Sequence, residues 1–272
     1  MNITILANRD IASNFAVNLL LAGLVGHRLT IFLSARVGGS GEKPPELQHL
    51  GLYEQALLES IVAKGHKFTG AGVAPSQPPL RCQSFAQLAA LTTGPIVELN
   101  DINSATGVAA IEANQPDLIL CIRFGVILQP QVISLPRYGV LNLHSGVLPD
   151  YRGVMATFWA MLNDEPQLGT TLHYISDKGI DTGEVVATTK MAADKDSCYL
   201  AQVLKLYVGG SEEMLRAVNA IDQGQVPNGI AQAKGGNYYS FPDQQAVDAF
   251  QRQGLCLINE AEMRAFMSRH YY

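Results

Sequence analysis

The sequence predicts an α/β fold built on a doubly wound, mainly parallel β-sheet. The chain opens with an apolar strand-like segment, a helix-like segment and a second strand-like segment, and two later segments are almost continuously apolar. Parallel strands need a crossover between them, and strands buried on both faces of a sheet are apolar throughout. With 47% hydrophobic residues among 272, the chain can bury the core that such a sheet requires.

Residue periodicity predicts the elements of the N-terminal part of the chain. Apolar residues at helical spacing indicate helices, and clusters of Gly, Pro and polar residues indicate loops. In chain order these elements are a strand at 1–7, a helix at 14–25, a strand at 29–33, a loop at 36–45, a helix at 47–61 and a loop at 74–79.

The strongest strand signals come later, at residues 117–122 and 139–143. A long helix is expected over residues 200–221, with Asp194 or Asp196 as its N-cap. The other expected elements are short helices at 84–91, 104–113, 130–135 and 154–162, and strands at 169–175 and 184–189.

The chain is expected to divide into a catalytic domain at residues 1–205 and a C-terminal helical extension at residues 206–272. The extension contains a Gly- and Tyr-rich turn at 235–241 and a helix at 244–253. It is too short for a confident core of its own, so we expect it to pack on the main domain. A homodimer through this extension is a further expectation.

Charge and cysteine content exclude several classes. The net charge of -5 disfavours a nucleic-acid partner. The N-terminus lacks the basic start of a secretory signal, and no apolar run approaches the ~18 residues of a membrane span, so we expect a cytoplasmic protein without a membrane partner. Cys82, Cys121, Cys198 and Cys256 are far apart, which supports neither a metal site nor a disulfide framework.

Three polar residues lie where chemistry is expected. Asn142 and His144 end a buried strand, and side-chain alternation places both on the same face. Ligands of open α/β sheets bind beyond the carboxyl ends of the strands. An amide beside an imidazole suits acyl transfer, and Asp181, in a Gly-flanked loop, could orient the imidazole or hold a water. Residue type and spacing alone favour the alternative, in which Asn142 and His144 cap the strand end and Asp181 is a turn residue.

The surrounding sequence resembles the formyltransferase family that uses 10-formyltetrahydrofolate. Residues 141–153 read L-N-L-H-S-G-V-L-P-D-Y-R-G and residues 179–183 read G-I-D-T-G, which are similar to the Asn-x-His, Leu-Pro-x-x-Arg-Gly and Asp-Thr-Gly motifs of the family. Residues 122–130, I-R-F-G-V-I-L-Q-P, are similar to the segment that lines its pterin pocket. The resemblance is specific over about residues 80–190 and implies the Rossmann-like formyltransferase fold.

The resemblance implies that Asn142, His144 and Asp181 are the catalytic residues and that no metal is needed. Asn142 and His144 would stabilise the oxyanion formed when a neutral amine attacks the formyl carbon, and Asp181 would assist proton transfer from the incoming to the leaving nitrogen. The implied cosubstrate is 10-formyltetrahydrofolate, with its pterin held by Phe124, Gly125, Val126, Ile127, Leu128, Gly179 and Ile180. Ordinary core packing is the alternative for each apolar residue of that set.

Departures from the family pattern bear on the acceptor. Gly146 stands where the family usually has Ser. Asn8, Arg9 and Asp10 replace the glycine-rich turn with which the ribonucleotide enzymes hold a phosphate, so glycinamide ribonucleotide is a poor acceptor. These three residues and Arg152 are expected to bind the acceptor, with a helix-capping turn and a loop brace as the alternatives.

The expected function is formyl transfer to the primary amine of a small acceptor, for example a nucleotide-linked amino sugar. The tail carries no Lys or Arg cluster, unlike the basic C-terminal barrel of the tRNA enzymes. A formyltetrahydrofolate hydrolase and a non-catalytic folate- or nucleotide-binding protein are the alternatives. A nicotinamide oxidoreductase ranks last, because no G-x-G-x-x-G follows the first strand.

Overall fold

The structure, a computed structural model, describes residues 1–35, 42–63 and 81–272. Most of the loop predicted at 36–45 and all of the loop predicted at 74–79 lie outside the described residues. The strands are β1 (Asn2–Asn8), β2 (Arg28–Ser34), β3 (Val97–Glu98), β4 (Leu118–Ile122), β5 (Val140–His144), β6 (Tyr151–Gly153), β7 (Gln167–Ile175), β8 (Val185–Ala192) and β9 (Asn237–Tyr239).

The helices connect these strands or pack on the sheet that they form. In chain order they are α1 (Ile11–Leu21), α2 (Pro45–Ala63), α3 (Phe85–Leu88), α4 (Ala105–Glu112), α5 (Pro130–Ile133), α6 (Ala156–Leu162), α7 (Tyr199–Asp222), α8 (Gln244–Arg252) and α9 (Glu260–His270). Among the helices of the described residues, none is long and apolar enough to cross a membrane.

Seven strands form one sheet in the order β3-β2-β1-β4-β5-β7-β8. The first five strands in this order are parallel to one another, whereas β7 and β8 are antiparallel to their neighbours. The chain leaves β1 towards β2 and β3, then returns to the other side of β1 with β4. The predicted doubly wound, mainly parallel sheet is therefore confirmed, and its direction of winding reverses between β1 and β4, where ligands bind in such folds.

The continuous apolar run of β4 packs against two cores. Leu118, Leu120 and Ile122 contact the core that includes α1 and α7, and Ile119 and Cys121 contact the smaller core on the opposite face. All five residues are buried, because helices cover both faces of the sheet. This arrangement explains why the predicted strand shows no polar alternation.

Helix α1 begins earlier than periodicity predicts, because Asp10 caps it. The Asp10 carboxylate accepts a hydrogen bond from the Ser13 backbone N–H at 2.7 Å. A carboxylate at this position satisfies one of the unpaired N–H groups of the first helical turn. The capping alternative considered for this loop is thus what the structure shows for Asp10.

Helix α7 corrects the expected N-cap and continues through the expected domain boundary. Its N-cap is Cys198 rather than Asp194 or Asp196, and the Cys198 thiol accepts a hydrogen bond from the Ala201 N–H. The helix also runs across the expected domain boundary between residues 205 and 206 and packs on β7 and β8 beyond it. Helix α7 therefore joins the expected catalytic domain to the expected extension.

The tail contributes elements that the sequence analysis did not predict. Strand β9 falls inside the predicted turn at 235–241 and pairs in parallel with β6. Helix α9 packs on α1, where the Phe15 and Phe266 ring centroids are 4.9 Å apart and the Tyr271 hydroxyl donates to Asn14 at 2.7 Å. The predicted helix at 244–253 is confirmed as α8.

Candidate active site

The carboxyl ends of β1, β4 and β5 meet at one edge of the sheet. Asn8 ends β1, His144 ends β5, and Arg123 follows β4 between them. This edge lies at the point where the winding of the sheet reverses, which is the usual position of a ligand site. Because three neighbouring parallel strands end at this edge, the polar residues at or just after their ends lie side by side.

The structure brings Asn142, His144 and Asp181 into one buried cluster. Asn142 Nδ2 lies 3.4 Å from Asp181 Oδ1, and His144 Nδ1 lies 3.5 Å from Asp181 Oδ2. The 39 positions between Asn142 and Asp181 are bridged because the loop after β7 folds back over β5. Within this cluster a proton has a short path between carboxylate and imidazole.

A second imidazole, His173, belongs to the same cluster and was missed by the sequence analysis. The antiparallel register pairs Asn142 with His173, and Asn142 Nδ2 donates to His173 Nε2 at 3.0 Å. His173 Nδ1 donates to the Tyr174 backbone oxygen at 2.8 Å, and Nε2 lies 3.3 Å from Asp181 Oδ1. The signal in the sequence was a histidine on the strand before the Asp-Thr-Gly loop.

The Asp181 side chain is held by charge and by the backbone. Its backbone is left-handed, with φ of 53°, and Gln232 donates to the carbonyl oxygens of Asp181 and Gly183 at 2.8 Å each. The Gly153 N–H donates to Asp181 Oδ2 at 2.8 Å. Burial favours the neutral acid, but His144, His173 and this N–H outweigh it and lower the pKa of Asp181 to about 2.

His144 is held in place from both sides of its ring. Nε2 lies 2.6 Å from the Tyr151 backbone oxygen, so this nitrogen carries a proton, and Nδ1 faces Asp181. A Cβ at Gly146 would lie 2.6 Å from His144 Nε2 and 2.7 Å from the Tyr151 oxygen. Glycine at 146 therefore leaves room for the imidazole where the family usually has Ser.

These groups line a cavity of about 480 Å³. The cavity opens along the sheet edge and is bounded by α2, the segment after β4, the loop after β7 and the tail. Its lining includes all three expected catalytic residues and every residue expected to hold the pterin, namely Phe124, Gly125, Val126, Ile127, Leu128, Gly179 and Ile180.

A second polar cluster, formed by Asp10, Glu54 and Arg123, borders the same cavity. Arg123 donates from Nε to Asp10 at 3.0 Å and from Nη2 to Glu54 at 3.1 Å. Burial raises the pKa of Glu54 to about 7, with Arg123 opposing this rise and Asp10 adding to it. For Asp10 burial acts the same way, but Arg123 and the Ser13 N–H lower its pKa overall. One guanidinium is thus shared between two buried carboxylates.

The residues expected to bind the acceptor lie elsewhere. Asn8 is buried and donates to Asp10 at 2.8 Å, and Arg9 is exposed and pairs with Glu98 at 3.4 Å. Arg152 donates to the Gly235 carbonyl oxygen at 3.0 Å and so joins β6 to the tail. Among the described residues that line the cavity, none of Asn8, Arg9, Asp10 and Arg152 is found.

The cavity mouth carries aromatic and cationic side chains. Tyr238 and Phe241 from the tail line it, and Tyr238 is 57% exposed. The Lys43 ammonium lies 4.0 Å from the centre of the Phe241 ring and forms no ion pair with any described residue. An aromatic rim with a cation favours a ligand that has a planar group and negative charge.

A family model described as formyl transferase matches residues 64–202, about half of the chain. Among curated proteins, the methionyl-tRNA formyltransferase of Pelotomaculum thermopropionicum is 26% identical over 175 residues, covering 62% of this chain and 56% of that protein. The corresponding protein of Chlorobium limicola is 33% identical over 132 residues, covering 48% and 41%. The chain spans about half the length of the curated relatives it matches.

Solved structures show the same fold at low sequence identity. A sugar N-formyltransferase from a Shewanella species superposes with a TM-score of 0.55 and 14% identity, covering 88% of this chain and 76% of that chain. A phosphoribosylglycinamide formyltransferase from Anaplasma phagocytophilum gives a TM-score of 0.54 and 13% identity, covering 88% and 96%. At such identities the likeness concerns the fold alone.

Proposed function

Because the chain belongs to the formyl transferase family, we propose that it transfers a formyl group from 10-formyltetrahydrofolate to the primary amine of a small acceptor. The observation that carries this proposal is the convergence of Asn142, His144 and Asp181 in the cavity lined by residues 124–128. A strand cap and an isolated turn would not require a buried carboxylate held between two imidazoles.

The cavity suits a folate. A volume of about 480 Å³ falls in the range of roughly 300–1,000 Å³ that small-molecule sites occupy. Residues 124–128 form one wall, and Gly179 and Ile180 lie on the lining as well. The Gly125 N–H, the Ile127 carbonyl oxygen and the Gly179 N–H already have partners in Ser34, Asn103 and Asp177, so the remaining backbone groups of these segments are the ones that could meet a pterin ring. When bound, 10-formyltetrahydrofolate supplies a formyl group attached to a nitrogen that can leave.

Residues of the chain then stabilise the developing negative charge and transfer protons. Asn142 provides an N–H donor for negative charge that develops on the formyl oxygen as the amine attacks, and His144 provides one once its Nδ1 has taken up a proton. His144 and Asp181 accept the proton of the attacking nitrogen and return it to the leaving nitrogen, because the imidazole and the carboxylate lie 3.5 Å apart. His173 positions Asn142 and Asp181 through the contacts of its Nε2.

The cavity mouth supports a nucleotide-linked amino sugar as the acceptor class. Tyr238 and Phe241 offer ring faces to a base or sugar, and Lys43 offers a charge to a phosphate. Methionyl-tRNA is the acceptor named for the curated relatives, but only about half of each relative is matched, so that acceptor does not transfer to this chain. A cytoplasmic location and a homodimer stay predictions.

The test is release of tetrahydrofolate from 10-formyltetrahydrofolate by the purified protein, with and without a panel of amino-sugar nucleotides, hydroxyornithine and simple amines. Amine-dependent release is the expected result, and the formylated product identifies the acceptor. Release at the same rate without any amine would contradict the proposal in favour of a hydrolase. Folate binding without turnover across the panel would favour a binding protein.

A further inference from the structure

During formyl transfer the ammonium nitrogen of the acceptor loses two protons, and the catalytic cluster accounts for one of them. An alkylamine with a pKa of about 10 is an ammonium ion at neutral pH and has no lone pair for attack. It must lose one proton before it attacks and a second as the new bond forms. Asp181 and His144 can pass the second proton to the leaving nitrogen, so the first needs another acceptor.

Glu54 is a second buried carboxylate on the same cavity. It lies on α2, is 7% exposed, and lines the cavity beside Arg123, which follows β4 and therefore neighbours His144 at the end of β5. Only one Glu54 oxygen, Oε1, bonds to Arg123. The other oxygen is available to a ligand.

The charge balance around Glu54 favours a cation. The charged and titratable groups that face it are Arg123, Asp10 from the turn before α1, and Tyr199 and Tyr207 from α7. With both carboxylates ionised and both tyrosines neutral, this cluster carries one net negative charge. An acceptor ammonium supplies one positive charge and makes the cluster neutral.

The Tyr207 hydroxyl independently indicates a ligand on this side of the cavity. Tyr207 is fully buried and lines the cavity, and its hydroxyl finds no hydrogen-bond partner of good geometry among the described residues, although Arg123 and Ser145 are near it. An incoming polar group can offer this buried hydroxyl a hydrogen bond of better geometry. Leu47 and Leu50 of α2 add an apolar wall for the body of that ligand.

We propose that Glu54, which lines the same cavity as Tyr207, binds the ammonium group of the acceptor and takes the proton that the amine must lose before it attacks the formyl carbon. This inference rests on the proposed function. The ammonium N–H bond breaks and its electron pair stays on nitrogen, while a Glu54 oxygen gains the proton and later releases it to solvent. The second proton passes by His144 and Asp181 to the leaving nitrogen, so the net products are formamide, tetrahydrofolate and one proton.

The environment of Glu54 suits this role better than that of Asp181. A pKa near 7 lets Glu54 hold a proton and release it again at neutral pH, whereas Asp181, with a pKa of about 2, releases a proton at once. Glu54 would then take the proton that the ammonium loses before the attack, and Asp181 would assist transfer of the proton that is lost during the attack.

The experiment compares two amines of equal size, ethylamine and methoxyamine, each at high concentration with 10-formyltetrahydrofolate. Methoxyamine is uncharged at neutral pH because its oxygen withdraws electron density, so it needs no base before attack. Glu54→Gln should slow transfer to ethylamine about 100-fold while transfer to methoxyamine stays close to that of the wild type. Glu54→Asp, which keeps a carboxylate, should restore part of the ethylamine activity.

Glu59→Gln on the exposed face of α2 is the matched control and should leave both activities unchanged. Transfer to methoxyamine also shows that the Glu54→Gln protein is folded. An equal loss with both amines, or no loss with either, would overturn the role of Glu54 alone. Absence of amine-dependent release from the wild type across the whole acceptor panel would overturn the proposed function, whereas wild-type release that Glu54→Gln leaves unchanged would overturn only the role of Glu54.

Discussion

Two buried carboxylates border one cavity, and their pKa values are shifted in opposite directions from the ordinary values. Asp181 is surrounded by His144, His173 and the Gly153 N–H, and its pKa is lowered to about 2. Glu54 shares its one cationic partner, Arg123, with Asp10, and its pKa is raised to about 7. Burial acts in the same direction on both residues.

The difference therefore comes from the number of positive or donor groups available to each carboxylate. Where several donors surround one carboxylate, its charged form is stabilised and its pKa falls. Where two carboxylates share one guanidinium, the attraction does not offset the burial of both, and the pKa of one of them rises. The comparison predicts that removing the charge of Asp181 lowers the rate of formyl transfer, and that removing the charge of Arg123 lowers the free energy of unfolding.

The largest expected effect is that of Asp181→Asn on turnover. The amide fits the same space but cannot accept a proton, so we expect kcat for amine-dependent tetrahydrofolate release to fall about 10³-fold. His144→Ala should act similarly, and the double variant should be no slower than the slower single one, because the two residues act as a unit. Near-normal turnover with unchanged circular dichroism would refute the catalytic assignment.

Arg123→Met should have the largest effect on stability. It leaves the buried carboxylates of Asp10 and Glu54 without their cation, which should cost about 3–5 kcal/mol in the free energy of unfolding. Urea unfolding measures this value, with Arg9→Met at the exposed Glu98 pair as the control. A loss below about 1 kcal/mol would mean that the cluster relaxes without its cation.

Glu54→Gln should remove a pH dependence of stability. Native Glu54 holds its proton up to about pH 7 and the unfolded chain only up to about pH 4.3, so between these values the native state binds more protons. The free energy of unfolding should then fall as the pH rises across this window, by up to about 3 kcal/mol, and level off above it. Asp181 acts in the opposite sense, because its stabilisation is lost as the pH falls from about 4 towards 2.

Thermal unfolding of wild type and Glu54→Gln from pH 4 to pH 8 measures the difference between the two profiles. Glu59→Gln on the exposed face of the same helix serves as the control. If the Glu54→Gln and wild-type profiles run parallel over the whole range, Glu54 does not titrate in this window.

Gly146→Ala should displace His144. The added Cβ would lie 2.5 Å from the Ala156 Cβ and 2.6 Å from His144 Nε2. A displacement of about 1 Å can cost roughly 100-fold in rate, so we expect a fall of that size in kcat with folate affinity unchanged. Gly209→Ala, whose Cβ would meet Thr189 at an ordinary 3.7 Å, is the control, and equal activity of the two variants would refute this account of Gly146.

Arg9→Ala should have the smallest effect. Arg9 is exposed and pairs only at the surface with Glu98, so stability should change by no more than about 0.5 kcal/mol and KM for the acceptor should stay the same. Steady-state kinetics with the acceptor found by the panel measures this. A raised KM would restore Arg9 as an acceptor-binding residue.

Local patterns in the sequence were sufficient for the strands that carry the site. The apolar runs predicted β4 and β5, and alternation along β5 placed Asn142 and His144 on one face, as the cluster with Asp181 now shows. These predictions succeed because side-chain direction in a strand depends on neighbouring residues alone.

The contacts between distant segments could not be predicted in the same way. His173 meets Asn142 through antiparallel pairing, Glu54 meets Arg123 from α2, and β9 pairs with β6 across the tail. Each contact joins segments far apart in sequence, and periodicity contains no information about which segments meet. The acceptor-binding expectation for Asn8, Asp10 and Arg152 placed these residues near the correct edge, but the hydrogen bonds that occupy their side chains come from the tertiary structure.

The sequence by itself determined the sheet, the identity of the polar groups at its carboxyl edge and the family to which the motifs belong. The tertiary structure decided which partners each group has. Asp181 lies between two imidazoles, whereas Glu54 shares the guanidinium of Arg123 with Asp10. The physical reason is that residue type sets only the reference pKa, whereas burial and the distance to each charge set the shift, and both exist only once the chain has folded.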